Sequence, residues 1–309
     1  MSETKRILGI DWGTSNRRAY LVDAAGKLLD SRADDQGMLA ARPGFGPSLA
    51  ALLDDMGIEH DVPVLASGMI GSAQGWRETP YLDAAVPLED LPRHLVRVAD
   101  QASGRACLLV PGYRAHDEAG EVDVIRGEEM QLLGAVAGGR RDGWFVLPGT
   151  HSKWVLLEDG TIRQVSTFMT GELFATLGKQ GTLAPLMDAD GSDDQDAFAA
   201  GVDAAKRRAP LTHVLFSVRA RAVTGAMPAA QVRSFVSGLL IGAELVAALD
   251  LMGGADGGVP EAAASIAAPK LHGFYAAAAK RLGIDLQPLD PDAIYRAALG
   301  VFLDRMDRP

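Results

Sequence analysis

The chain has 309 residues, 48% hydrophobic and 23% charged, a soluble globular make-up with length enough for two domains. A formal net charge of −10 argues against a nucleic-acid or anionic-membrane partner, yet leaves room for a small anionic substrate held by one or two local arginines. The one cysteine, Cys107, excludes an internal disulfide and a cysteine metal cluster.

The opening MSETKR is polar and no apolar signal segment follows it, which predicts a cytoplasmic protein. Ile7, Leu8 and Ile10 predict a buried first strand, and Arg18 to Val22 a returning one. The turn between them holds Asp11, Gly13, Thr14, Ser15 and Asn16. Two readings fit it. It is an ordinary hairpin turn, or it is a phosphate cradle of backbone N–H groups and hydroxyls, with Asp11 placed to hold magnesium. A third strand is expected over 27–32, a helix from Ser48, and a short buried strand over 63–66. That strand ends in Ser67-Gly-Met-Ile-Gly-Ser72, with Trp76 beyond it. Strand ends are where ligands sit in α/β sheets, so this turn is a candidate substrate site with Trp76 as an apolar wall. A helix is expected over 88–102 and a strand over 106–110. Pro111-Gly112 marks the expected boundary between domains 1–112 and 113–309, the last helix being free to pack back on the first domain.

Asp123 precedes an amphipathic helix and has Arg126, Glu128 and Glu129 close behind it. Such a cluster is ordinarily a solvated helix start; beside a cleft, Asp123 would be the natural general base. Residues 144–157, WFVLPGTHSKWVLL, repeat the opening logic: a buried strand, a Gly149-Thr150-His151-Ser152 turn, and a returning strand that begins at Lys153. Two such units, one in each half, form an internal duplication. Helices are expected from Thr170, over 235–251 with Gly238 and Gly242 on one face, over 269–282 and over 291–306. A short strand is expected over 264–268.

DWGTSNRRAY, ASGMIGSAQGW, RGEEMQLLGA, LPGTHSKWV, FMTGELF, LFSVRAR and SGLLIGAEL occur in this order across nearly the whole chain. Together they resemble the 2-dehydro-3-deoxygalactonokinase family of the sugar-kinase/actin/heat-shock ATPase superfamily. The resemblance implies an α/β fold of two ribonuclease-H-like domains around a nucleotide and sugar cleft. It implies transfer of the ATP γ-phosphoryl group to the 6-hydroxyl of 2-dehydro-3-deoxy-D-galactonate, with Mg²⁺ as cofactor. A kinase of the gluconate isomer, or a non-catalytic sensor, is the alternative. In this scheme Asp11 organises Mg²⁺, and Gly13, Thr14, Ser15 and Asn16 hold phosphates from one side. Gly149, Thr150, His151, Ser152 and Lys153 hold them from the other. Asp123 is the expected base, with Glu129 as its rival. Ser67, Gly68, Met69, Ile70 and Trp76 meet the sugar acid together with Arg18 or Arg126, and the site set includes Glu129. Where the family tends to carry glycine near the adenosine, this chain has Ala267. The expected partners are the sugar acid and ATP, without nucleic acid or membrane. The oligomeric state stays open, a homodimer being one option.

Overall fold

The computed structural model describes residues 5–42, 44–99, 104–117, 119–187, 193–253 and 262–306. The first sheet begins with β1 (Arg6–Trp12), β2 (Arg17–Asp23) and β3 (Leu28–Asp34), joined as antiparallel hairpins. Two helices, α1 (Met38–Ala41) and α2 (Phe45–Asp55), lead to β4 (Val64–Ser67), which runs parallel to β1. After the short β5 (Tyr81–Asp83) come β6 (Val96–Ala99) and β7 (Ala106–Leu109), giving the order β3-β2-β1-β4-β7-β6. Next are β8 (Gly112–His116) and β9 (Val122–Ile125), which with β5 form a three-stranded sheet, and α3 (Glu128–Ala137).

The second half repeats the plan. Its strands are β10 (Gly143–Leu147), β11 (Ser152–Glu158) and β12 (Thr161–Phe168). The helices α4 (Thr170–Leu177), α5 (Ala184–Met187), α6 (Gln195–Lys206), α7 (Leu211–Val223) and α8 (Ala229–Gly253) follow. Then come β13 (Ala262–Ile266), α9 (Pro269–Leu282), β14 (Asp285–Leu289) and α10 (Pro291–Met306). The sheet order is β12-β11-β10-β13-β14, with β13 parallel to both β10 and β14. Three strands joined by hairpins, then two reached by crossovers, is the arrangement of the first sheet as well, which adds β6 antiparallel to β7 at its edge. The duplication read from the two Gly-Thr turns is therefore a duplication of topology.

Near-continuous apolar character in β1 is explained by burial on both faces. Leu8 and Ile10 join a core with Leu49, Leu52 and Leu53 of α2, while Gly9 lies hard against Leu299 of α10. The 25-residue α8 is long and apolar enough to cross a membrane by length and composition, but 61% of its apolar window is buried in protein. Close backbone approach to α6 accounts for its glycines. A Cβ on Gly238 would strike the Phe198 carbonyl, and one on Gly201 the Phe235 carbonyl.

Two expectations change. Within the expected helix over 88–102, Leu88–His94 instead forms 3₁₀ turns with Pro92 inside, and 96–99 is β6, paired antiparallel with β7; residues 100–102 lie outside the described residues. Proline removes a helix donor, and the exposed edge of β7 offers the following valines a ladder instead. The chain divides into two compact units, residues 1–143 with 155–165 and 290–309, and residues 144–154 with 166–289. This differs from a boundary after residue 112. The reason is that α3 packs on α10, with Gly134 directly against the Ile294 carbonyl, so both helices belong to the first unit.

Candidate active site

In the first unit, the β1–β2 turn is drawn tight by Gly13 N–H donating to the Asn16 carbonyl at 3.0 Å. The segment after β3 braces it. Met38 N–H donates to the Gly13 carbonyl at 2.8 Å, Leu39 N–H to Thr14 at 3.1 Å, and the Trp12 indole to the Gln36 carbonyl at 2.9 Å. Thr14, Ser15 and Asn16 are left exposed on this brace.

Asp11 stands half-buried beside the turn, opposite Arg18 in the β1–β2 register. Burial pushes its carboxyl up to about 6; Arg18 opposes the shift, and Glu128 and Asp292 add to it. Gly68 comes up against it: a Cβ there would lie 3.0 Å from the Trp12 carbonyl and 3.5 Å from Asp11 Oδ1. A Cβ on Gly127 would be 3.4 Å from Gly68 Cα. Both glycines have positive φ, +87° and +107°, so backbone fills the space where side chains would otherwise intrude.

Gly127 caps the start of α3, and the next two residues are acids. Glu128 Oε2 accepts from Arg126 N–H at 2.9 Å. Glu129 Oε2 accepts from Gly127 N–H at 2.6 Å. Glu129 is fully buried and its Oε1 has no hydrogen-bond partner. Burial first, and Glu128 second, push its carboxyl up to about 8 against the pull of backbone hydrogen bonds and Arg126. The last helix adds two side chains that sequence reasoning missed. Asp292 accepts from the Tyr20 hydroxyl at 2.8 Å, and the Tyr295 hydroxyl pairs with Ser67 Oγ at 2.9 Å. Nothing local in the sequence links residue 295 to residue 67.

Several expected site residues take other places. Asp123 lies within β9, paired with Ala115 and with Oδ1 accepting from Val124 N–H, five residues before α3 begins. Ser67 and Ile70 are fully buried, the former bound to Tyr295. Trp76 stacks on Phe45 at 6.3 Å and packs against the first core. Arg126 spends its guanidinium on the Thr79 hydroxyl, the Thr79 carbonyl and the Tyr81 hydroxyl, and lies over the Tyr81 ring. Gly68, Met69, Arg18 and Glu129 remain close to Asp11 or flank a residue that is.

In the second unit, the β10–β11 turn leaves Gly149, Thr150 and His151 exposed. The start of α4 packs onto it: Glu172 N–H donates to the Thr150 carbonyl at 2.9 Å, and Gly171 fits against the Gly149 carbonyl. His151 Nε2 and Glu172 Oε2 are 2.5 Å apart. Ser152 and Lys153 turn inward instead. Ser152 is fully buried and donates to Glu244 at 2.6 Å, and Lys153 is only 6% exposed.

A cavity of ≈ 290 Å³ opens beside this turn. It is lined by Gly149, Thr170 and Gly171, by the apolar Leu240, Ile241 and Leu271, and by the aromatic Phe174, Phe274 and Tyr275. Arg233 and Lys270 line it as well, each over a phenylalanine ring, Arg233 at 4.9 Å from Phe174 and Lys270 at 5.8 Å from Phe274, and Lys270 also pairs with the lining carboxylate Asp193 at 3.0 Å. Apolar walls with a few converging polar groups are the usual make-up of a small-molecule site. Among the described residues no group of three or more His, Cys, Asp or Glu side chains could by itself hold a metal ion. Magnesium in kinases is carried by one or two carboxylates together with substrate phosphates, and Asp11 beside an exposed hydroxyl turn fits that mode.

The family model described as 2-keto-3-deoxy-galactonokinase matches residues 11–301. A candidate 2-dehydro-3-deoxygalactonokinase of Rhizobium meliloti is 35% identical over 300 residues, covering 94% of each chain. The 2-dehydro-3-deoxygalactonokinase of Escherichia coli is 33% identical, covering 96% of this chain and 97% of its own. A crystal structure of a candidate 2-dehydro-3-deoxygalactonokinase from Sinorhizobium meliloti superposes with a TM-score of 0.87 at 32% identity, over 98% of this chain and 97% of its own. At 11% identity, component A of the (R)-2-hydroxyglutaryl-CoA dehydratase of Acidaminococcus fermentans shares the fold alone, with a TM-score of 0.52 and 97% coverage of both. The doubled sheet order and these matches agree on two ribonuclease-H-like units of the actin-like ATPase fold, and the chain belongs to the 2-keto-3-deoxy-galactonokinase family.

Proposed function

We propose that this protein transfers the γ-phosphoryl group of ATP to the 6-hydroxyl of 2-dehydro-3-deoxy-D-galactonate. The products are ADP and 2-dehydro-3-deoxy-6-phospho-D-galactonate, and the reaction belongs to galactonate breakdown in the cytoplasm. The observation that carries the reading is the cavity that opens at the Gly149–Thr150 turn, lined by aromatic and apolar side chains together with Arg233 and Lys270. It suits a purine with a phosphate chain leading to the turn.

The first unit supplies the acceptor chemistry. The Gly13–Asn16 turn presents the exposed Thr14, Ser15 and Asn16 to phosphate, and Asp11 is the residue that would carry Mg²⁺. That ion supplies charge neutralisation on the phosphates when bound. Arg18 and the backbone at Gly68 and Met69 address the carboxylate and keto group of the sugar acid. Glu129 is the base: its free Oε1 accepts the proton as the 6-hydroxyl oxygen bonds to phosphorus and the bond to ADP breaks. A carboxyl held near neutrality is suited to that exchange.

The test is ADP release with ATP, Mg²⁺ and a panel of 2-keto-3-deoxy sugar acids. Turnover on the galactonate isomer, with weaker turnover on the gluconate isomer, is expected. Preference for the gluconate isomer would replace the substrate, and binding without turnover on any acid would make the protein a sensor.

A further inference from the structure

We infer that Glu244 is the positioning residue that ties the Gly149–Ser152 turn to the walls of the nucleotide cavity. The inference rests on the nucleotide reading of that cavity. Glu244 sits on α8 and is 2% exposed. Its Oε1 accepts from Ser152 Oγ at 2.6 Å and from the Trp154 indole at 2.9 Å. Its Oε2 accepts from the Tyr275 hydroxyl at 2.7 Å, and the Thr170 hydroxyl also bonds to the carboxylate. These donors come from three elements: β11, the first residue of α4, and α9.

Two of the donors, Thr170 and Tyr275, line the cavity, and so does Gly149, three residues before Ser152. One carboxylate thus holds the exit of the phosphate turn, the helix start that packs on that turn, and the helix that walls the purine site. The partners are neutral donors, so the arrangement works through an acceptor that can take four hydrogen bonds at once. A carboxylate does this; a carboxamide has one acceptor oxygen and turns an NH₂ toward donors. Burying an acid is costly, and apolar packing would close the same space more cheaply. The acid is instead suited to fixing the turn and the walls in one register before nucleotide arrives.

The experiment is calorimetric titration of the full chain with ADP, together with KM for ATP and for the sugar acid. Glu244→Gln should raise the ADP Kd and the KM for ATP by about tenfold or more, as expected when buried donors lose their acceptor. The KM for the sugar acid should stay within about twofold of wild type, a split that general destabilisation would not produce. Trp154→Phe removes the indole donor of a residue outside the cavity lining. It should weaken ADP binding in the wild type and add nothing in the Glu244→Gln background. Unchanged ADP affinity in a folded Glu244→Gln protein overturns the inference. If that variant does not fold, wild-type ADP affinity in Trp154→Phe overturns it. Wild-type protein that binds neither ADP nor ATP overturns the nucleotide reading beneath it.

Discussion

Glu129, the base proposed above, would serve catalysis at the expense of stability. Its carboxyl has an ordinary value of 4.5 and is held at about 8 in the fold. Between these values the unfolded chain has released a proton that the folded chain keeps, so this residue makes stability fall as pH rises from about 4.5 to about 8. Glu129→Gln removes that dependence. Its melting temperature should exceed wild type by more at pH 8 than at pH 5, as differential scanning calorimetry would show. Its kcat should fall by about 10²–10⁴-fold, the usual weight of a general base, while ADP affinity holds. A variant that is both stabilised and fully active would remove Glu129 from the chemistry. Asp123→Asn is the contrast. With Asp123 set in β9, its turnover should stay within about threefold of wild type, a range much smaller than any loss of a general base.

At the scale of elements, the pairing of α6 with α8 depends on backbone contact. A methyl group on Gly201 meets the Phe235 carbonyl and the Leu239 backbone, which belong to a helix and cannot swing aside. Gly201→Ala should therefore lower stability even though alanine favours helices, with an overpacking cost of about 1–3 kcal/mol measured by urea denaturation. A neutral or stabilising result would show that the helices part more readily than their packing implies. The helix start of α4 works differently. Its grip on the β10–β11 turn runs through Glu172 N–H and the Gly171 contact, so the FMTGELF motif serves the turn and contributes Thr170 and Phe174 to the cavity.

At the scale of the molecule, the proposed nucleotide cavity is lined by residues of the second unit. Nucleotide should stabilise the chain by mass action, by about 2.7 kcal/mol at a concentration one hundred times Kd. Hydrogen exchange with and without ADP should show protection at 149–152, 170–174, 237–241 and 270–275. Protection absent from all four would reject the cavity as the nucleotide site.

The elements nearest the chemistry were legible in the sequence because their signals are local. The apolar run of β1, the two Gly-Thr turns and the proline that opens α9 each announce themselves within a few residues. The same is true of Asp11 at a strand end. Local reading does not reach the distant partners a residue acquires in the fold. Ser152 looks like a phosphate donor, but its hydroxyl donates a hydrogen bond to Glu244, 92 residues on. Ser67 looks like a substrate contact until Tyr295, 228 residues away, covers it. Asp123 looks like a base because the start of α3 is ambiguous by a few residues in sequence, whereas β9 claims Asp123 and leaves the first turn to Glu128 and Glu129. The doubled plan, the family and the two Gly-Thr turns were legible from the sequence alone, since backbone periodicity and turn chemistry are short-range. Only the tertiary structure assigned the buried acids, because the environment that sets a carboxyl's charge is made by side chains that the chain brings together from afar.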